Sequence, residues 1–205
     1  MMAAPMHKRE EKRLEALKKA KLLDTPKEAK FDSVIFLASE ICETNIALFS
    51  IVDEKRQWFK SKLGLDVEQT DRSISFCGHT ILTDDILEVR DTLKDTRFLD
   101  NPLVTGYPNI RFYAGAPVLS TDGLPIGTLC VIDQKPMQLT PYQLESLKKL
   151  ALKLGKVVAV REEMLHLQEQ HLQLEKQREE LKKYQSKIIK NLRDIKVGFF
   201  NSKEG

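Results

Sequence analysis

Residues 111–132, RFYAGAPVLSTDGLPIGTLCVI, decide the fold. Two β-rich runs, Arg111 to Leu119 and Ile126 to Ile132, flank Ser120-Thr121-Asp122-Gly123-Leu124-Pro125. An Asp-Gly step between two such runs is a strong hairpin signal, because a tight turn needs residues that tolerate positive φ. Upstream, Ile46 to Val52 and Gln57 to Leu63 read the same way around the polar turn Asp53-Glu54-Lys55, with Gly64 ending the second strand. Strands joined mainly by hairpins make an antiparallel sheet with helices gathered on one face. The fold class is α+β, not a doubly wound parallel sheet.

The segments around these hairpins fill in the order. Residues 8–23 lack Gly and Pro and read as a helix, stopped by Asp24, Thr25 and Pro26. Thr25 is positioned to cap a second helix over 26–43, with Pro26 at its first position and Glu28 three residues on. That helix is expected to bury Phe31, Val34, Ile35, Leu37, Ala38 and Ile41. Residues 65–75 read as polar connection, 76–83 as a short helix and Ile86 to Val89 as a strand. Residues 91–110 form a loop with two prolines and a glycine, long enough to suggest a functional role. From Pro141 the chain reads as helix almost to its end.

Charge is unevenly placed. Residues 7–21 carry seven Lys/Arg against three Glu, 161–196 carry nine against seven acidic residues, and 22–160 carry sixteen against nineteen. The net +3 of the 205 residues thus sits on the flanking helices. No basic face with interleaved aromatics points to nucleic acid. No apolar run approaches the roughly 18 residues of a membrane span. Cys42, Cys77 and Cys130 lack the paired spacing of a zinc site or a disulfide scaffold, so no metal is expected and the thiols read as reduced in a cytoplasmic setting.

Val160, Leu167, Leu174, Leu181, Ile188 and Ile195 recur every seven residues. Taken as d positions, they pair with Val157, Met164, His171, Arg178, Gln185 and Leu192 at a. A sustained heptad stripe predicts a coiled coil, here a parallel homodimer, with its polar middle fixing register and oligomer state. The expected division is an N-terminal helix (1–21), a central domain (22–160), a coiled-coil signalling helix (161–196) and a tail (197–205).

Three strings carry the chemistry: 75–82 (SFCGHTIL), 91–104 (DTLKDTRFLDNPLV) and 111–117 (RFYAGAP), the last followed by 127–133 (GTLCVID). With 22–26 (LLDTP) and 56–61 (RQWFKS) in the same order, they resemble the GAF domains attached to bacterial sensor histidine kinases and diguanylate cyclases. The resemblance covers about 22–160. It implies a GAF-like six-stranded antiparallel sheet with helices packed on one face and a small-molecule pocket on the other, without naming a ligand or cofactor. The Asn-Lys signature of cyclic-nucleotide-binding relatives is absent. The order Cys77-Gly78-His79 departs from bilin-attaching relatives.

The candidate ligand-binding residues are Phe76, Cys77, His79, Asp91, Arg97, Phe98, Asn101, Arg111 and Tyr113. Arginine forks suit a carboxylate or phosphate, although Asp91, Arg97 and Asp100 could equally tie down their own loop. Cys77 beside His79 would make an activated thiol only if the local backbone is not helical, since i and i+2 do not face each other on a helix. The resulting expectation is a non-enzymatic cytoplasmic sensor that binds a small effector and signals to a partner through its C-terminal helix. The alternatives are a thiol reductase like the free methionine sulfoxide reductases, which also use a GAF fold, and a dimerisation module with a vestigial pocket.

Overall fold

The structure, a computed structural model, describes residues 1–201, with side chains to residue 190. The chain divides into two units, one ending at Glu162 and the other beginning at Glu163. In the first, helices α1 (Glu10–Ala20) and α2 (Ala29–Cys42) precede the hairpin of β1 (Ile46–Val52) and β2 (Arg56–Leu63). The chain continues through β3 (Gln69–Asp71), α3 (Phe76–Thr80), β4 (Leu87–Val89) and α4 (Pro102–Thr105). The second hairpin, β5 (Phe112–Leu119) and β6 (Pro125–Asp133), leads into α5 (Pro141–Asn201). The strands form one six-stranded sheet in the order β3-β2-β1-β6-β5-β4, with every neighbouring pair antiparallel. The expected hairpin turn forms at Ser120–Pro125, with Gly123 at φ 70°.

Strand side chains alternate between two apolar layers. Ala47, Phe49 and Ile51 of β1, with Leu129 and Val131 of β6, face the three long helices, which contribute Leu17, Phe31, Ile35, Leu147, Ala151 and Leu154. Ile46, Leu48, Tyr113, Cys130 and Ile132 face the other way, beneath α3, α4 and the 91–110 loop. All seven residues of β1 are buried, which is why that strand reads as continuous apolar sequence.

Three local expectations are corrected. Thr25 does not cap α2: its hydroxyl donates to Leu22 O at 2.6 Å, and the helix begins at Ala29 with Glu28 as its uncapped flank. The Thr25 oxygen instead accepts from Lys60 Nζ at 2.7 Å, a fully buried ammonium that also meets Pro26 O at 2.6 Å and Glu28 at 2.8 Å. Leu37 is 43% exposed, and Cys42 takes its place in the core. The 65–75 connection contains β3, an edge strand that pairs with Arg56 to Trp58.

The charge of α1 is only partly solvated. Arg13 is fully buried, donating to Glu10 at 2.8 and 2.7 Å and to Val52 O at 2.7 Å. Glu10 also pairs with Arg72 at 2.6 Å. The helix therefore stitches the turn end of the first hairpin to the turn after β3. Along α5, Val160, Met164, Leu167, Leu174, Leu181 and Ile188 are 53–62% exposed, and His171 and Arg178 are exposed between them. The side chains of Leu192 and Ile195 lie outside the described residues.

Candidate functional site

The face of the sheet beneath α3, α4 and the 91–110 loop holds a cavity of about 100 Å3. Its floor is Ile46, Leu48, Tyr113 and Ile132 from three central strands, with Phe59 of β2 beside them. Phe76 and Cys77 of α3 form one wall; Leu103, Tyr107, Pro108 and Ile110 from the long loop form another; Leu65, Val67 and Thr70 close a third. The only polar atoms of note are already partnered. Gln57 Nε2 donates to Thr70 Oγ1 at 3.2 Å, Ser75 donates to Gln57 Oε1, and Tyr113 OH meets Thr80 Oγ1 at 2.6 Å. Among the described residues, no buried side-chain nitrogen or oxygen of this lining is left without a partner.

A GAF domain profile matches residues 27–158, more than half of the chain. The chain belongs to the GAF domain family. Over 115 residues it is 48% identical to a cyclic di-GMP phosphodiesterase of Pseudomonas aeruginosa, a match covering 56% of this chain and 20% of that protein. The chain thus spans about a fifth of that relative's length. Among solved structures it is similar to the GAF domain of a Coxiella burnetii phosphoenolpyruvate-protein phosphotransferase, with TM-score 0.55 at 14% identity over 78% of this chain and 96% of that one. The blue-light-absorbing form of the Thermosynechococcus elongatus PixJ GAF domain gives 0.54 at 16%, over 78% and 94%. A type II free methionine-R-sulfoxide reductase from Thermoplasma acidophilum gives 0.53 at 15%, over 70% and 94%. At these identities the likeness is one of fold.

Within this GAF domain the nine residues singled out from the sequence fall into two groups. Phe76, Cys77 and Tyr113 line the cavity. Phe98 lies one layer out, stacked on Phe76 with ring centroids 4.1 Å apart. The polar residues serve the loop and its neighbours. Asp91 accepts from Leu93 N at 3.2 Å and pairs with Lys94. Arg97 forks onto Asp95 at 2.9 and 2.6 Å, its guanidinium 5.1 Å from the Phe98 ring. Asn101, 2% exposed, caps α4 by accepting from Leu103 N and donates to Ile74 O at 3.0 Å. Arg111 donates to the carbonyls of Val104 and Ile110 at 2.9 and 3.0 Å.

His79 turns away from Cys77. Its Nε2 meets Met2 O at 3.0 Å and its ring edge packs on Phe98. Burial, with Arg97 nearby, lowers its pKa and favours the neutral imidazole, against the opposing pull of the Met2 carbonyl and Asp95. Because α3 is helical, the i, i+2 pair does not assemble. Cys77 instead points down at the sheet, with its sulfur 3.8 Å from Cys130 Sγ and 3.5 Å from Tyr113 OH. Cys42, on the opposite layer, has its thiol pushed up to about 11 by burial alone.

Most of the lining lay beyond sequence reasoning. Ile46 and Leu48 could be picked out only as the alternate face of a strand whose Ala47 and Phe49 meet helices. Leu65, Val67 and Thr70 come from the segment that read as plain connection.

Proposed function

We propose that this GAF domain is the input module of a signalling protein and that its effector is a small, neutral, largely apolar molecule held in the front cavity. The observation that carries this reading is the cavity itself: about 100 Å3, walled by aliphatic and aromatic side chains, with Gln57, Thr70 and the Tyr113 hydroxyl paired inside the protein. An engineered apolar cavity of about 150 Å3 takes benzene, so one ring or a short alkyl chain is the right scale. A charged nucleotide would bury phosphates against no cation in this lining, at a cost of several kcal/mol.

The output belongs with cyclic di-GMP turnover, by the 48% identity to a phosphodiesterase of that class. Transmission runs through α5, which pairs with a second copy. Its heptad residues leave six apolar side chains, Val160, Met164, Leu167, Leu174, Leu181 and Ile188, more than half exposed; burying such a stripe against a second helix is what drives coiled-coil formation.

Thermal-shift titration with toluene, indole, cyclic di-GMP and cyclic GMP tests the pocket. The apolar probes should raise the melting temperature as RT ln(1 + [L]/Kd), and Leu103→Trp, which grows into the cavity, should abolish the shift. Binding of either nucleotide in preference to the apolar probes would overturn the reading. Light scattering should give a dimer, and single cysteines at Leu174 or Leu181 in a Cys-free background should cross-link two chains; a monomer would remove the transmission mechanism.

A further inference from the structure

The front layer contains a sulfur centre that the ligand cavity does not explain. Cys77 and Cys130, 53 positions apart, bring their sulfurs within 3.8 Å in the buried space between α3 and β6. Tyr113 OH donates to Cys77 Sγ from 3.5 Å. Ser50 and Thr128, directly opposed across β1 and β6, are both fully buried, and their hydroxyls have no hydrogen-bond partner. Both lie on the sheet face that carries Leu48 and Cys130, beneath α3. Leaving two hydroxyls unpaired in a native core is costly unless something there accepts from them. A thiolate at Cys77 is the acceptor this face offers, and hydrogen bonds from both hydroxyls favour it; Cys77 also borders the cavity.

We infer that Cys77 and Cys130 form a peroxide-oxidisable dithiol, with Cys77 as the attacking thiol and Cys130 as its resolving partner. Hydrogen peroxide is close to water in size and fits a cavity several times a water's volume of about 30 Å3. The Cys77 thiolate attacks one peroxide oxygen, the O–O bond breaks, and the departing hydroxide is protonated to water, leaving a sulfenic acid. The Cys130 sulfur then attacks the Cys77 sulfur. The S–O bond breaks as the S–S bond forms, and the Cys130 proton leaves with hydroxide as a second water. Two thiols and one peroxide become one disulfide and two waters, with two electrons passing from sulfur to oxygen.

Position assigns the same order: Cys77 lines the cavity and accepts from Tyr113 OH, whereas Cys130 lies beneath it, off the lining. Burial raises the Cys77 thiol, but the hydrogen bonds from Cys130, Tyr113, Ser50 and Thr128 outweigh it and bring it down. Cys130 is raised by that same hydrogen bond and by burial. Closing 3.8 Å to a bond of about 2 Å draws α3 toward β6, so oxidation moves a cavity wall whatever occupies the cavity.

The experiment is stoichiometric hydrogen peroxide on the reduced protein, followed by intact-mass and non-reducing peptide mapping. The expected product has lost two hydrogen atoms and contains a Cys77–Cys130 cross-linked peptide that dithiothreitol reverses. Cys130→Ala should instead accumulate a dimedone-trappable sulfenic acid at Cys77; Cys77→Ala should give neither product, and Cys42→Ser should behave as the parent. The wild-type map stands even if a variant fails to fold. Cross-linking through Cys42, or a Cys77 unmodified while exposed methionines oxidise, would overturn the assignment.

Discussion

A Cβ added at Gly115 would lie 2.2 Å from the Tyr113 hydroxyl oxygen and 3.0 Å from Thr80 Oγ1. The ring of Tyr113 is fully buried and cannot swing aside cheaply. Gly115→Ala must therefore break the Tyr113–Thr80 bond or shift β5, at about 2–3 kcal/mol. The expected result is a drop of several degrees in melting temperature, with toluene binding weakened alongside; an unchanged melting temperature would mean the ring relocates freely. A glycine inside a strand announces close approach, but the residue that approaches is set by tertiary structure. The same limit governed the site. Phe76, Cys77 and Tyr113 were legible because they sit in distinctive local strings. Cys130, by contrast, reads as an ordinary mid-strand apolar residue until the sheet places it under α3. Arg97 and Arg111 carry charge patterns that suit a ligand equally well as a loop carbonyl or a neighbouring Asp, and only the fold decides between them.

Elements with strong local codes were legible, and those made by pairing were not. The two hairpins follow from turn chemistry and alternation within about 20 residues each. β3, with the sequence Gln-Thr-Asp, has no apolar period and exists because β2 offers it an edge. In the 91–110 loop, short α4 is held by Asn101, whose side chain caps it and reaches Ile74 O beside α3. Asn101→Ala removes the cap and strands a half-buried carbonyl, so denaturant unfolding should show a loss of about 2 kcal/mol. The register of α5 against the second hairpin depends on Gly155, where a Cβ would meet Leu119 O at 2.9 Å. In a free helix Gly155→Ala would gain about 1 kcal/mol. Here the clash with backbone outweighs that gain, and the variant should be less stable than the parent by denaturant midpoint. A stabilised variant would show that α5 can slide on the sheet.

At the scale of the whole GAF unit, two carboxylates join elements far apart in sequence, and they set its acid limit. Glu10 ties α1 to the end of the first hairpin and to Arg72; burial would raise its pKa, but hydrogen bonds from Arg13 and Arg72 and their charges bring it to about 2. Glu28 ties the start of α2 to Lys60 of β2 and Arg161 of α5; burial again opposes, and the bonds from Lys60 and Lys30 with the charges of Lys60 and Arg161 bring it to about 2. In the unfolded chain a glutamate titrates near pH 4.3. The folded values lie below that, so this stability is fully present above about pH 5 and is lost as pH falls toward 2. Denaturant midpoints should be flat from pH 8 to about 5 and then decline steeply. Glu28→Gln leaves the buried Lys60 without a counter-charge and should cost about 3 kcal/mol at pH 7, while flattening the acid decline because one titrating group is gone. Glu10→Gln should do the same through Arg13, with a smaller loss at pH 7 because Arg13 keeps its bond to Val52 O. An acid limb as steep in both variants as in the parent would move the origin of acid unfolding to other carboxylates.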